Sequence, residues 1–187
     1  TPNTAYDYVI ADKNGKHLTS AHSFKTAGAN EWSCCVISDF HAYTPLLHRQ
    51  RDAMDMMDAV KNFDPNFSWV LHLGDITAWG GSWSFWKSLY QERYFMPYMW
   101  AGVNGNHDNM TRGYIRNSND FFRQANYYPE NGYLGEEGVC YHFRYGNVMF
   151  IMLNNEAMHT EKGLIEAQNW VQEVVTEAKN SENAPLY

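Results

Sequence analysis

Tyr98-Met99-Trp100-Ala101-Gly102-Val103-Asn104-Gly105-Asn106-His107-Asp108 is an apolar run that stops abruptly in a glycine, an amide, an imidazole and a carboxylate. A continuous run of this kind reads as a strand covered on both faces, as in a parallel sheet. Open α/β sheets bind ligands just outside the carboxyl ends of their strands, which is where these polar groups fall. The same figure stands twice upstream. Trp69-Val70-Leu71-His72-Leu73 runs into Gly74-Asp75, and Cys34-Cys35-Val36-Ile37 runs into Asp39-Phe40-His41.

The segments between these strands read as helices. Residues 51–63 carry Ala53, Met54, Met57 and Val60 at spacings of three and four, which puts them on one helical face. Residues 82–95 read as a second helix, stopped by Pro97. The order is therefore β-α-β-α-β, an α/β class with a parallel sheet. Farther on, residues 139–145 and 148–153 flank Gly146-Asn147 and predict a β-hairpin inside the sheet, followed by a helix over 163–179. Residues 6–11 and 21–26 are strand-like runs around the turn Asp12-Lys13-Asn14-Gly15. The texture changes between Gly28 and Glu31, where a domain boundary is expected.

Composition narrows the class. A chain of 187 residues with 44% hydrophobic and 19% charged residues has ample material for a core and lies far from the disordered regime. The net charge of −7 and the lack of any Lys/Arg block disfavour a nucleic-acid partner. An acidic protein can still take a phosphate ester where bound cations dominate the local field. Three cysteines, Cys34, Cys35 and Cys140, make no fully paired framework and read as buried thiols. No apolar stretch has the length of a membrane span, and a membrane role is not expected. Oligomeric state leaves no trace in the sequence.

The polar strand ends, Asp39, His41, Asp75, Asn106, His107 and Asp108, offer carboxylate, imidazole and amide groups without a thiolate. Such donors suit Mn, Zn or Fe rather than an iron–sulfur or structural zinc site. Asp75 is the middle member, placed to bridge two cations, and a pair of cations can clamp the attacking and leaving oxygens of a phosphoester displacement around a bridging hydroxide.

These residues resemble the calcineurin-like metallophosphoesterases, whose signature is Asp-x-His, Gly-Asp, then Gly-Asn-His-Asp/Glu: here Asp39-Phe40-His41, Gly74-Asp75 and Gly105-Asn106-His107-Asp108. The resemblance covers residues 32–187 and implies a four-layer αββα metallophosphoesterase sandwich. It implies a phosphohydrolase with two divalent metal ions, Mn, Zn or Fe, acting on a small phosphorylated substrate, a monoester in preference to a diester. Asp39 and His41 would bind the first metal, Asp75 would bridge, Asn106 would bind the second, and His107 would protonate the leaving group with Asp108 beside it. The surroundings, including Tyr145-Gly146-Asn147-Val148, are most similar to the purple acid phosphatase branch. In that branch a fibronectin-like β module precedes the catalytic domain, which makes residues 1–30 the closing strands of such a module and 31–187 the N-terminal part of the catalytic domain. The same likeness favours a secreted or periplasmic setting.

Three departures from that branch matter. His41 stands where it usually has Gly, and Ala78 where it has a metal-binding Tyr, so a colourless metal pair is implied rather than a purple iron–tyrosinate centre. The family also uses a later His and a Gly-His-x-His, and no histidine follows His159, so the metal site is expected to be only partly present in these residues. The competing expectation is a non-catalytic module, either a pseudo-phosphatase or an aromatic-rich carbohydrate-binding protein. His72, His142 and His159 read as core or supporting histidines, Asn154-Asn155-Glu156 fits equally a supporting role or an exposed turn, and Trp79, Trp83 and Trp86 border the presumed site.

Overall fold

A computed structural model describes residues 1–28, 31–46, 48–95, 97–111, 115–116 and 119–181. The chain opens on an antiparallel hairpin in which β1 (Ala5–Tyr8) pairs with β2 (His22–Lys25), Tyr6 opposite Phe24. The strands are shorter than the apolar runs because the connecting loop is knotted on Asp12, whose carboxylate accepts the amides of Asn14 and Lys16.

The alternating segment follows as β3 (Cys34–Ile37), α1 (His48–Phe63), β4 (Trp69–His72), α2 (Trp83–Leu89) and β5 (Met99–Gly102). The strands form one parallel sheet in the order β3-β4-β5, with Cys34 level with Trp69 and Trp69 level with Met99. One face carries Cys35, Ile37 and Val70 and packs on Ala53, Met54 and Met57 of α1. Met54 and Met57 are fully buried, and each such side chain contributes about 1.5–3 kcal/mol. Helix α2 ends earlier than its sequence pattern suggests. Beyond it Tyr94 bonds Asp58 of α1 through its hydroxyl and Phe95 stacks on Trp100 at 4.0 Å, contacts that draw the chain off the helical path before Pro97.

Short strands β6 (Met110–Thr111) and β7 (Ile115–Arg116) pair with each other ahead of α3 (Asp120–Asn126). Next come β8 (Tyr141–Tyr145), β9 (Val148–Met152) and α4 (Glu161–Asn180). Gly146 takes φ +59 at the first central position of the two-residue hairpin loop, where a side chain would be strained. The hairpin was expected inside the sheet. Among the described residues its strands pair only with each other, as a separate two-stranded sheet. It lies face to face on the parallel sheet instead, because Phe143, Tyr145 and Phe150 surround the buried Trp69 and need the sheet's face rather than its edge. On the hairpin's other side Ile151 and Leu153 pack on Trp170 and Val174 of α4. The layers thus run helix, parallel sheet, hairpin, helix: the αββα arrangement of an α/β fold. Among the described residues no helix is long and apolar enough to cross a membrane.

Candidate metal centre

Past the sheet the ends of β3 and β4 continue side by side. Asp39 N–H donates to Gly74 O at 3.1 Å, His41 N–H to Asp75 O at 2.9 Å and Ala42 N–H to Ile76 O at 3.0 Å. Asp39, His41 and Asp75 all hold left-handed backbone, with φ of +58, +46 and +54. Such conformations cost on the order of 1–3 kcal/mol each and persist where surrounding bonds enforce them. They turn three ligand-type side chains toward one point.

At that point His41 Nε2 lies 3.5 Å from Asp39 Oδ1 and 3.6 Å from Asp75 Oδ2. Donor atoms of His41, Asp75 and His107 all lie within 4.8 Å of one another. Ligands at about 2.0–2.2 Å from a shared cation stand about 3–4 Å apart, so the spacing fits common ligation better than direct hydrogen bonding. The donor chemistry, oxygen and imidazole nitrogen, fits the divalent ions named from the sequence. A hydrogen bond from the Ser38 side chain, helped by His41, holds the Asp39 carboxyl below its ordinary value, which keeps it ionised for ligation.

His107 is fixed from both ends. Its amide donates to Asp75 Oδ1 at 2.9 Å, and its ring Nδ1 is 2.7 Å from Ala78 O. A carbonyl can only accept, so Nδ1 carries a proton. The ring stands edge-on to His41 at 4.6 Å, with Trp79 at 5.0 Å on another side.

Asp108, expected beside His107, turns its carboxylate to the loop backbone instead. Oδ1 accepts from the amide and hydroxyl of Thr77, and Oδ2 from the amides of Ile76 and Gly105. Burial pushes its pKa up to about 7, with the Thr77, Gly105 and Ile76 amides pulling the other way. Asp108 ties the loop after β4 to the loop after β5 and thereby sets Asp75 against His107.

Two cavities flank the cluster, and Asp39 borders both. One, of about 570 Å³, adds His41, His107, Arg49, Asp52 and Met56. The other, of about 260 Å³, adds Asp75, Asn104, Asn106, Asn155 and Glu156. Asn106 is exposed and opens to this second side. Asn154 is buried and holds the adjoining turn, accepting from Glu156 N–H and donating to Glu136, so the open reading of 154–156 resolves into a turn that walls the second cavity.

The other histidines take different places. His72 is fully buried, its Nδ1 accepts from Gly74 N–H at 3.2 Å, and its Nε2 has no partner among the described residues. Burial pushes its pKa down to about 3, which leaves a neutral ring beneath the cluster. His142 is half-buried against Trp170. Of the core or supporting role expected of His159, the core half does not hold: its side chain is 52% exposed and lies 3.7 Å from Glu156. Of the tryptophans, Trp86 is core, Trp83 is exposed beside Phe121, and Trp79 alone reaches the cluster. Sequence reasoning missed Arg49, Asp52 and the Ala78 carbonyl. No motif marks them, because their place at the site depends on how α1 and the loop after β4 are docked.

Residues 34–186 match the family model described as calcineurin-like phosphoesterase. In structure the chain is similar to a purple acid phosphatase isolated from yellow lupin (Lupinus luteus) seeds, with a TM-score of 0.58 and 16% sequence identity over 97% of this chain and 34% of that one. At this identity the likeness concerns the fold, and the chain spans about a third of the lupin protein's length. No curated protein matches the sequence.

Proposed function

The chain belongs to the calcineurin-like phosphoesterase family, and from that premise we propose that it is a metal-dependent phosphohydrolase that cleaves small phosphate monoesters in preference to diesters. The observation that carries this is the convergence of three strand ends on Asp75, with His41 and His107 on one side and Asn106 on the other. Asp39 and His41 would hold one divalent ion, Asn106 a second, and Asp75 both, the ions being Mn, Zn or Fe. When bound, the ions supply Lewis acidity toward the phosphoryl oxygens and a nucleophile at neutral pH.

The protein's own groups supply position and a proton. His107, entering as the imidazolium with Nδ1–H committed to the Ala78 carbonyl, would give its Nε2 proton to the departing alcohol oxygen and be left as the neutral Nδ1–H ring. Asp108 acts as a positioning residue through the loops it joins. Residues 1–30 are read as the close of a preceding β module and 31–187 as the N-terminal part of the catalytic domain. A second reading of His107, as a metal ligand, is favoured by its place within the 4.8 Å group.

The deciding experiment is Mn-dependent hydrolysis of a chromogenic monoester and diester by the full-length protein, with Asn106→Ala and His107→Ala alongside. Metal-dependent turnover lost in both variants is expected. His107→Ala that keeps its metal content supports the proton donor, and one that loses metal supports the ligand. A metal-loaded protein inert on both esters would sink the phosphohydrolase reading in favour of a non-catalytic module.

A further inference from the structure

The larger cavity contains a cation that the metal cluster does not use. Arg49 lies in the first turn of α1, a turn without acidic residues, and lines the same cavity as His107 and His41. Its guanidinium sits over the Tyr43 ring, 5.9 Å from the centroid, and Tyr43 is braced edge-on by the buried Phe85 at 5.2 Å. Among the described residues Arg49 makes no hydrogen bond or ion pair. An aromatic ring orients a guanidinium without consuming its N–H donors, and those donors match the geometry of carboxylate or phosphate oxygens.

Resting on the phosphohydrolase reading, we propose that this cavity seats the leaving alcohol and that Arg49 selects esters whose alcohol carries an anionic group, a carboxylate or a second phosphate. The leaving oxygen has to lie at His107 to be protonated, so the rest of the alcohol extends into the cavity that His107 borders. That cavity, of about 570 Å³, holds a small organic group, with Ala53 and Met56 against its carbon skeleton. With Asp39 given to the metal, Asp52 is the negative group left on its walls. Arg49 is therefore the group that turns repulsion of an anionic alcohol into attraction.

The test compares 4-carboxyphenyl phosphate with its neutral counterpart 4-carbamoylphenyl phosphate, using the Mn-loaded full-length protein, Arg49→Gln and Arg49→Lys. The wild type is expected to favour the carboxylate ester by about tenfold in kcat/KM, mostly through KM, the scale of one hydrogen bond to a charged group. The ratio should fall to one or below in Arg49→Gln and recover in part in Arg49→Lys. Calorimetric binding of 4-carboxybenzylphosphonate and 4-carbamoylbenzylphosphonate should show the same tenfold difference without turnover. An active wild type whose ratio matches that of Arg49→Gln overturns the role of Arg49 and leaves the phosphohydrolase standing. A wild type that neither hydrolyses the esters nor binds the phosphonates overturns both.

Discussion

A Cβ atom on Gly105 would fall 2.2 Å from Oδ1 of Asp75 and 2.3 Å from the Asp75 amide nitrogen. The same Oδ1 accepts the His107 N–H, so the loop after β5 grips the central carboxylate while pressing against it with bare backbone. The pairing of a glycine with the middle ligand is thus a steric condition on the site.

Gly105→Ala should displace Asp75 from His41 and His107. A clash with backbone cannot be relieved by a rotamer change, and overpacking of this kind costs about 1–3 kcal/mol. The expected result is Mn affinity weakened by about 10–100-fold, with a lowered Tm in metal-free protein; calorimetric titration checks it. Unchanged metal affinity would mean that the two loops do not set each other's position.

Asp108→Asn should destabilise the fold more than it alters the chemistry of the cluster. The amide nitrogen would be forced against N–H donors where a carboxylate oxygen now accepts, at a cost of about 2–3 kcal/mol. Urea denaturation should show that loss. If Asp108 acted only on the substrate, stability would not change.

His72 makes stability depend on pH in a defined direction. Its pKa is about 3 in the folded state against an ordinary 6.5. Below pH 6.5 the unfolded chain takes up a proton that the native ring refuses, so stability is lost as pH falls from about 6.5 toward about 3. The loss is about 2 kcal/mol by pH 5. Denaturation of wild type and His72→Phe between pH 5 and 7 isolates the effect: the difference in stability should shrink by that amount as pH falls.

Metal removal should loosen the site. Asp39, His41 and Asp75 hold left-handed backbone, a cost that a bound cation would help to offset. Saturation with Mn at about a hundred times Kd should raise stability by about 2.7 kcal/mol over chelated protein. A Tm indifferent to chelator would argue that no ion binds at Asp39, His41 and Asp75.

Much was legible in the sequence because the informative features were local. Apolar runs that end in Gly-Asp or Gly-Asn-His-Asp mark buried strands and their ligand ends, and hydrophobic spacing marks α1, since both follow from a strand or helix repeat of a few residues. The polar groups at the three strand ends could be read the same way. What only the tertiary structure decided were relations between distant segments. It placed the β8–β9 hairpin on the face of the sheet rather than in it, because Trp69 had to be covered. It turned Asp108 from His107 to the amides of Ile76, Thr77 and Gly105, and it fixed the His107 tautomer through Ala78 O. It also carried Arg49 on α1 to the cavity that His107 borders. Each of these depends on which backbone and side-chain groups meet across loops, and no local pattern encodes such meetings.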